Sequence, residues 1–353
     1  MFFNLFATCT VLATAHAQKC AGKTTAMDVI KGHDLSGRVI AITGGDSGIG
    51  YQTALALASA NASVVLMPHN KVKGAAAAEN ITRITSNSKV TLVPIDTSSL
   101  ANVHAAATAL LAHVDRLDVL LCDAGLATQI ASLPPTTADG YDRVFEVNIL
   151  GHVLLVEKLR PLLRHTRGRV IHVSSAASFM ACKWADRSAD CTELANLHAG
   201  ATSSPMGNST IGVPASNYGL TKYLQVWHGA ELAMREPNVT AFSLHPGVVA
   251  TPMLDSLPAA TLKEWCAHTT PCPLTPAEGA ATPTYLAAAS QEELPQSADG
   301  KFFETCQPAA SVIAERVLTK GRAATLQYQS DVFDLLVEWA NAPSMHAPTA
   351  VEA

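Results

Sequence analysis

The 353-residue chain is short of charge. Lys, Arg, Asp and Glu together make up 15% of it, the net charge is −5, and no basic block occurs anywhere. A nucleic-acid partner calls for a basic patch or stripe, so that class is set aside. No apolar run is long enough to span a bilayer as a helix; the nearest, Phe2 to Thr14, stops short. Gly22-Lys23-Thr24 lacks the leading glycine of a phosphate-binding P-loop, because Ala17 stands there. His268 lies between Cys266 and Cys272, but no further Cys/His cluster completes a metal site, and none is expected. Internal repeats are absent. With 48% hydrophobic residues, the chain can bury a sizeable core.

What is present begins with the N-terminus. Phe2 to Thr14 is followed by Ala15-His16-Ala17, a small-x-small cleavage pattern, although no Lys or Arg precedes it. Residues 1–17 are read as a signal peptide, which implies the secretory pathway or secretion. The C-terminal Ala350-Val351-Glu352-Ala353 is not a retention signal. Of the eight cysteines, Cys9 would leave with the signal, and Cys122, in the run from Leu117, reads as a buried thiol. Cys20, Cys182, Cys191, Cys266, Cys272 and Cys306 remain, an even set that fits disulfides in an oxidising compartment. Cys182/Cys191 and Cys266/Cys272 are close enough to pair locally; the full pairing is left open, with reduced thiols as the plain alternative. Asn61, Asn80, Asn208 and Asn238 head N-x-Ser/Thr triplets, which matter only on that pathway.

Next comes an alternation. Val39–Ile42, Val64–Met67, Val90–Ile95, Leu117–Cys122, Arg169–Val173 and Val239–Leu244 read as strands. Between them Tyr51–Ala60, Ala75–Ile84, Ala101–Val114, Tyr141–Leu163 and Tyr218–Arg235 read as helices. Near-continuous apolar strands alternating with helices predict an α/β fold, one doubly wound parallel sheet covered on both faces. Residues 18–33 read as an N-terminal extension, 34–340 as the domain and 341–353 as a loose tail. The insertion 176–217 and the Pro- and Ala-rich 248–310 fall outside the alternation. Ligands bind at the carboxyl ends of such strands, so these two segments are expected to form the substrate region.

Two clusters carry chemistry. Gly44, Gly48 and Gly50 follow a strand and open a helix, which lets backbone approach a pyrophosphate at a helix N-terminus. Tyr218 and Lys222 stand four apart, on one helix face. A tyrosine hydroxyl titrates near about 10, and a nearby ammonium favours its phenolate. Alone, such a pair is more often a surface pair.

Taken together, the motifs resemble the short-chain dehydrogenase/reductase family over about residues 24–340. They run in order: Thr43-Gly44-Gly45-Asp46-Ser47-Gly48-Ile49-Gly50, Asp96, Asp123-Ala124-Gly125, Val147-Asn148-Ile149-Leu150-Gly151, Val173-Ser174-Ser175, Tyr218 with Lys222, and His245-Pro246-Gly247. The lead-in from Thr24 to Gly37 and Gly300–Cys306 resemble its retinol-dehydrogenase-like and WW-domain-oxidoreductase-like branch. The resemblance implies a Rossmann domain and a nicotinamide coenzyme. It implies Tyr218 as general acid/base, Ser175 holding the substrate oxygen, and Lys222 binding the nicotinamide ribose and depressing Tyr218. Asn148 would support a water relay to Lys222. Asp96 would hold the adenine and Thr251 the carboxamide, with Asp46, Ser47, Ile49, Ala124, Gly125, Pro246, Gly247 and Val249 completing the coenzyme contacts. Asp123 departs from the family's usual Asn.

Met67-Pro68-His69-Asn70-Lys71-Val72-Lys73 holds no acid for a ribose 2′-OH, and His69 and Lys71 suit a 2′-phosphate, so NADP is favoured over NAD. The resemblance also implies a small lipophilic carbonyl or alcohol substrate and a homodimer through the helices flanking the site. A non-catalytic nucleotide sensor is the rival class, and an epimerase or dehydratase on the same fold is a third.

Overall fold

The computed structural model describes residues 20, 23–127, 132–178, 218–255, 259–266, 271–295, 298–309 and 322–342. The expectations for the signal peptide, most of the 176–217 insertion, Cys182, Cys191, Asn208, His268 and the last residues of the tail lie outside them. Among the described residues no helix is long and apolar enough to cross a membrane.

The order is α1 (Ala26–Val29), β1 (Val39–Thr43), α2 (Gly48–Ser59), β2 (Ser63–Met67), α3 (Lys71–Thr85), β3 (Val90–Leu92), α4 (Leu100–His113) and β4 (Val119–Cys122). Then come α5 (Arg143–Phe145), a π-helical turn (Glu146–Leu150), α6 (Gly151–Thr166), β5 (Arg169–Val173), α7 (Tyr218–Arg235) and β6 (Thr240–His245). The chain continues through α8 (Pro252–Asp255), α9 (Ala259–Cys266), α10 (Pro276–Gly279), α11 (Ala281–Ala288), β7 (Phe302–Glu304), β8 (Gln307–Pro308) and α12 (Arg322–Asn341). The sheet order is β3-β2-β1-β4-β5-β6-β7-β8, parallel throughout except for the β7–β8 hairpin. The order reverses between β1 and β4, where a doubly wound sheet opens its ligand crevice.

Every residue of β1 is buried, yet the pleat still sorts them. Val39 and Ala41 join the core under α4, α6, α7 and α12, while Ile40 and Ile42 join the one under α1, α2, α3 and α11. Burial on both faces is why these strands read as continuous apolar runs.

The structure departs from the sequence reading in four places. β3 ends at Leu92 rather than Ile95. The helix expected over Tyr141–Leu163 is interrupted by the π turn, which carries Asn148. Within the 18–33 extension, Ala26, Val29 and Ile30 are buried in the core, and Cys20 is bonded to Cys306 in the β7–β8 turn. Finally, 248–310 holds α10, α11 and two strands as well as the substrate side. The local Cys266–Cys272 pair is formed.

α12 covers the outer faces of α6 and α7. Phe333 is buried and stacks on His228, with ring centroids 5.1 Å apart, and the Arg235 guanidinium carbon lies 4.5 Å from the Phe333 ring centroid. Arg235 also donates to Asp334 and to Ser330, and Lys158 donates to Asn341 at 3.0 Å. Trp339 packs on Tyr141 and Phe145, each at 6.2 Å. Truncating the central ring leaves a cavity that these rigid elements cannot close. Phe333→Ala is expected to cost about 3 kcal/mol of folding stability, measured by denaturant unfolding; a loss near zero would mean that α12 is not docked.

Candidate active site

One cleft of about 1050 Å³ lies along the carboxyl ends of the strands. Its first wall is the turn after β1. Gly44 has φ +68°, and a Cβ there would meet Ala124 Cα at 3.1 Å, so the turn and its close approach to β4 both need glycine. Gly48, at φ +55°, starts α2. Ser47 precedes it without a side-chain cap, which leaves first-turn N–H groups of α2 available to an anion. The N–H of Gly50 is already used: it donates to the Asp123 carboxyl.

β2 and β3 supply the far end. Asn70 caps α3, accepting from the Val72 and Lys73 amides at 3.0 Å each. His69 stays 77% exposed, its Nδ1 3.5 Å from Asp96 Oδ1. Asp96 in turn accepts from the Ser98 amide and hydroxyl.

β4 and its loop are held from below. Thr43 Oγ1 accepts from the Asp123 and Ala124 amides at 3.0 and 3.1 Å, and lies 2.9 Å from His152 Nε2. Burial pushes His152 down to about 4, so the ring is neutral. With the Thr43 hydroxyl donating to Nε2, the ring's one proton sits on Nδ1, which donates to the Asn148 carbonyl at 3.0 Å. Gln225 donates to the same carbonyl at 2.8 Å. The Asn148 side chain accepts from the Leu126 amide at 2.7 Å and donates to the Leu126 carbonyl and Thr221 Oγ1, both at 2.9 Å. Asn148 therefore clamps the β4 loop to α7. Both lone pairs of its main-chain carbonyl are engaged, by His152 and Gln225, while its side-chain Oδ1 accepts only from Leu126.

α7 brings the reacting pair. Lys222 is buried, donates to the Val173 carbonyl at 2.7 Å, and stands 5.4 Å from the centroid of the Tyr218 ring. Burial pushes it down to about 8, against the opposing pull of Asp123. Loss of water pushes Tyr218 up to about 12; a hydrogen bond with Ser175 works against that shift and the Asp123 charge adds to it. Desolvation outweighs the Ser175 hydrogen bond, and the net shift of Tyr218 runs opposite to the depression expected from Lys222. Ser174 does not face the reaction: its hydroxyl donates to the Lys222 carbonyl at 2.6 Å, fixing the helix to β5.

The third wall follows β6. His245 Nδ1 accepts from the Ala176 amide at 3.1 Å, and burial pushes the ring down to about 4. Gly247 has φ +91°, and a Cβ there would lie 2.5 Å from Leu274. Leu274 pairs with the loop through Val248 and Ala250 at 2.7 and 2.8 Å. This holds Val249 and Thr251 against the glycine turn, with Thr251 Cγ2 3.2 Å from where a Gly48 Cβ would be.

Nearly all the residues singled out from the sequence line this cleft: Gly44, Asp46, Ser47, Gly48, Ile49, His69, Asp96, Asp123, Ala124, Gly125, Ser175, Tyr218, Lys222, Pro246, Gly247, Val249 and Thr251. Gly50 and Asn148 stand behind its wall, each buried. Sequence reasoning missed Thr43, His152, Thr221, Gln225 and His245 as supports. The signal existed for His152, which follows Asn148 by four, and for Gln225, which follows Lys222 by three. Among the described residues no group of His, Cys, Asp and Glu is arranged to hold a metal ion.

Fold and site together define a doubly wound α/β protein with a glycine turn and a tyrosine–lysine pair in one cleft. A family model described as short chain dehydrogenase matches residues 38–186. The WW domain-containing oxidoreductase of Gallus gallus is 32% identical over 299 residues, covering 82% of this chain and 66% of that protein. This chain thus spans just under two thirds of that relative's length. A short-chain dehydrogenase/reductase of Penicillium rubens is 30% identical over 315 residues, covering 85% and 84%. Among solved structures, L-sorbose reductase from Gluconobacter frateurii, complexed with NADPH and L-sorbose, superimposes with a TM-score of 0.57 at 19% identity, covering 79% and 98%. A 3-ketoacyl-(acyl-carrier-protein) reductase from Brucella melitensis, complexed with NADH, gives 0.55 at 22%, covering 76% and 97%. At these identities the likeness is one of fold. The chain belongs to the short-chain dehydrogenase/reductase family.

The tightest point of the glycine turn gives a direct test. A Cβ on Gly50 would fall 2.6 Å from the Gly44 carbonyl and 2.7 Å from Asp123 Oδ2. Gly50→Ala is expected to destabilise the fold by ~1–3 kcal/mol through overpacking and to weaken dinucleotide binding. Thermal melts with and without NADPH check both, and an unchanged melt with full ligand-induced stabilisation refutes the packing argument.

Proposed function

We propose that this chain interconverts an alcohol and a ketone or aldehyde on a small lipophilic substrate, using NADP in preference to NAD. The observation that carries the reading is the convergence of Ser175, Tyr218 and Lys222 on one cleft with the glycine turn. The residues fit the coenzyme: close approaches at Gly44 and Gly48 that side chains would obstruct, an uncapped helix N-terminus, and a neutral His245 beside the Pro246–Gly247 turn. Bound there, the coenzyme supplies or removes the hydride.

The chain's own residues do the rest. In reduction, the Tyr218 hydroxyl donates its proton to the substrate oxygen as the carbonyl carbon gains the hydride. The Ser175 hydroxyl, already bonded to Tyr218, holds that oxygen in place. In oxidation the same Tyr218 oxygen takes the proton back, and the Lys222 ammonium is the charge placed to favour its ionised form. Leu126, Ala127, Leu133, Val147, Met253 and Leu254 line the cleft, which supports an apolar substrate. A homodimer remains part of this reading through a face other than the α6–α7 pair, because α12 covers that one. Passage through the secretory pathway is likewise proposed. Its supports are the Cys20–Cys306 and Cys266–Cys272 bonds and the exposed sequons at Asn61 and Asn238.

Purified residues 18–353 are to be assayed by loss of NADPH, and separately NADH, absorbance against lipophilic aldehydes and ketones. Tyr218→Phe is expected to lower kcat by about 100-fold or more, the scale of a positioned general acid. Coenzyme binding without turnover in either protein across the panel would favour the sensor reading. Coenzyme choice has its own test. Of the two residues singled out for a 2′-phosphate, His69 lines the cleft and Lys71 does not; Lys73 lines it instead, and residues 67–73 offer no acid. His69→Asp is expected to weaken NADPH at least about tenfold and to strengthen NADH, following the ribose rule; equal KM shifts for both coenzymes would remove His69 from the specificity argument.

A further inference from the structure

Asp123 is the residue at which this chain leaves its family's pattern, and its surroundings give that change a consequence. The carboxyl lines the coenzyme cleft and accepts from the Gly50 N–H, in the first turn of α2. Oδ2 lies only 2.7 Å from where a Gly50 Cβ would be, so the carboxyl is pressed against the glycine turn. An asparagine here would occupy the same hydrogen bond without a charge. A pyrophosphate bound at that helix N-terminus would share it with Asp123, and two anions cannot share it without loss.

The groups that face Asp123 are few. Asp46, on the glycine turn, raises its affinity for a proton; Lys222, on α7, lowers it; Tyr218, also on α7, feels its charge. Cys122, its neighbour on β4, is pushed further up by burial and by Asp123, and stays a thiol. Desolvation dominates and pushes Asp123 up to about 7, so the carboxyl changes charge within the working range of an enzyme.

Resting on the coenzyme reading above, we infer that Asp123 makes dinucleotide binding proton-linked: a bound pyrophosphate draws a proton onto the Asp123 carboxyl. Below about pH 7 the carboxyl is already neutral and binding takes up nothing. Above it the ionised carboxylate has to be protonated, and affinity falls as pH rises. The reciprocal also holds: bound dinucleotide raises the proton affinity of Asp123. In the reaction itself the effect is a coupling between pH and coenzyme release, set by a residue that does not touch the substrate.

The test is a titration of NADH into the full chain between pH 6 and 8.5, by calorimetry in two buffers of unlike ionisation enthalpy, repeated with Asp123→Asn. NADPH is run alongside, although its 2′-phosphate titrates near about 6 and adds a slope common to both proteins. Lys222 is pushed down to about 8 with Asp123 working against that shift, so its proton affinity falls further in Asp123→Asn; the two proteins are therefore also compared in the Lys222→Met background, where that contribution is absent. In the wild type, Kd for NADH is expected to rise by about tenfold from pH 6 to pH 8, with close to one proton taken up at pH 8. Asp123→Asn is expected to flatten that rise to less than about threefold, to abolish the uptake at pH 8, and to bind more tightly than wild type there. Equal melting temperatures of the two proteins without ligand exclude a folding defect. A pH slope and proton uptake shared by Asp123→Asn, or a flat wild type, overturns the inference while leaving the coenzyme reading intact. Failure of both dinucleotides to bind at pH 6 in either protein overturns both.

Discussion

The Thr43 hydroxyl is the joint on which the site hangs. It takes two amides from the loop after β4 and gives its proton to His152, which passes the connection to the Asn148 carbonyl. Through Asn148 the chain of bonds reaches Leu126, Thr221 and, by Gln225, the middle of α7. Four elements (β1, β4, the π turn and α7) are therefore set relative to one another by buried neutral groups, of which Gln225 keeps one side-chain oxygen, Oε1, without a hydrogen-bond partner. A neutral network suits this place. A charge here would require a partner to offset its burial, whereas a hydroxyl, an imidazole and an amide need only one another.

The π turn belongs to the same constraint. Gly151, its first residue beyond, lies against the Thr97 carbonyl so closely that a Cβ would sit 2.5 Å from it. The helix is thus pressed onto the loop that carries Asp96, and the wider turn is where Asn148 gains the room to reach the β4 loop. Such turns are frequent at functional positions, and here the reason is geometric. One distortion serves both the coenzyme end, through Asp96, and the reacting end, through Asn148.

Much of this was legible in the sequence. Fold class and glycine turn were readable because a parallel sheet leaves continuous apolar strands and because positive φ at Gly44 and Gly48 leaves glycine as the fitting residue. Tyr218 and Lys222 were readable by spacing, once their order among the other motifs was recognised. The supports were not. Thr43, His152, Thr221 and Gln225 are ordinary residue types whose roles arise only from contacts across the fold. The same holds for Cys20 and Cys306, separated by 286 positions: their partnership depends on β7 folding back beside β6, which periodicity over a three-residue strand could not announce. α12 was missed for a related reason. Its apolar residues Val332, Phe333, Leu336 and Ala340 mark one face, but nothing local says that α6 and α7 need covering.

The two ends of the cleft are built on different principles, and that difference explains why coenzyme chemistry can be argued further than substrate chemistry. At the coenzyme end the walls are main chain: glycine turns, helix N-terminal amides, and loops held by strand ends. Backbone geometry tolerates few alternatives, so the ligand's shape follows from it. At the other end the wall includes apolar side chains, among them Met253 and Leu254 of α8, which follow the loop that Leu274 pairs through Val248 and Ala250. That pairing fixes where Thr251 stands while leaving Met253 and Leu254 free to be any apolar residue of suitable size. On the proposed reading, the end built of main chain sets where the dinucleotide lies, and the end lined by side chains sets which substrate fits beside it.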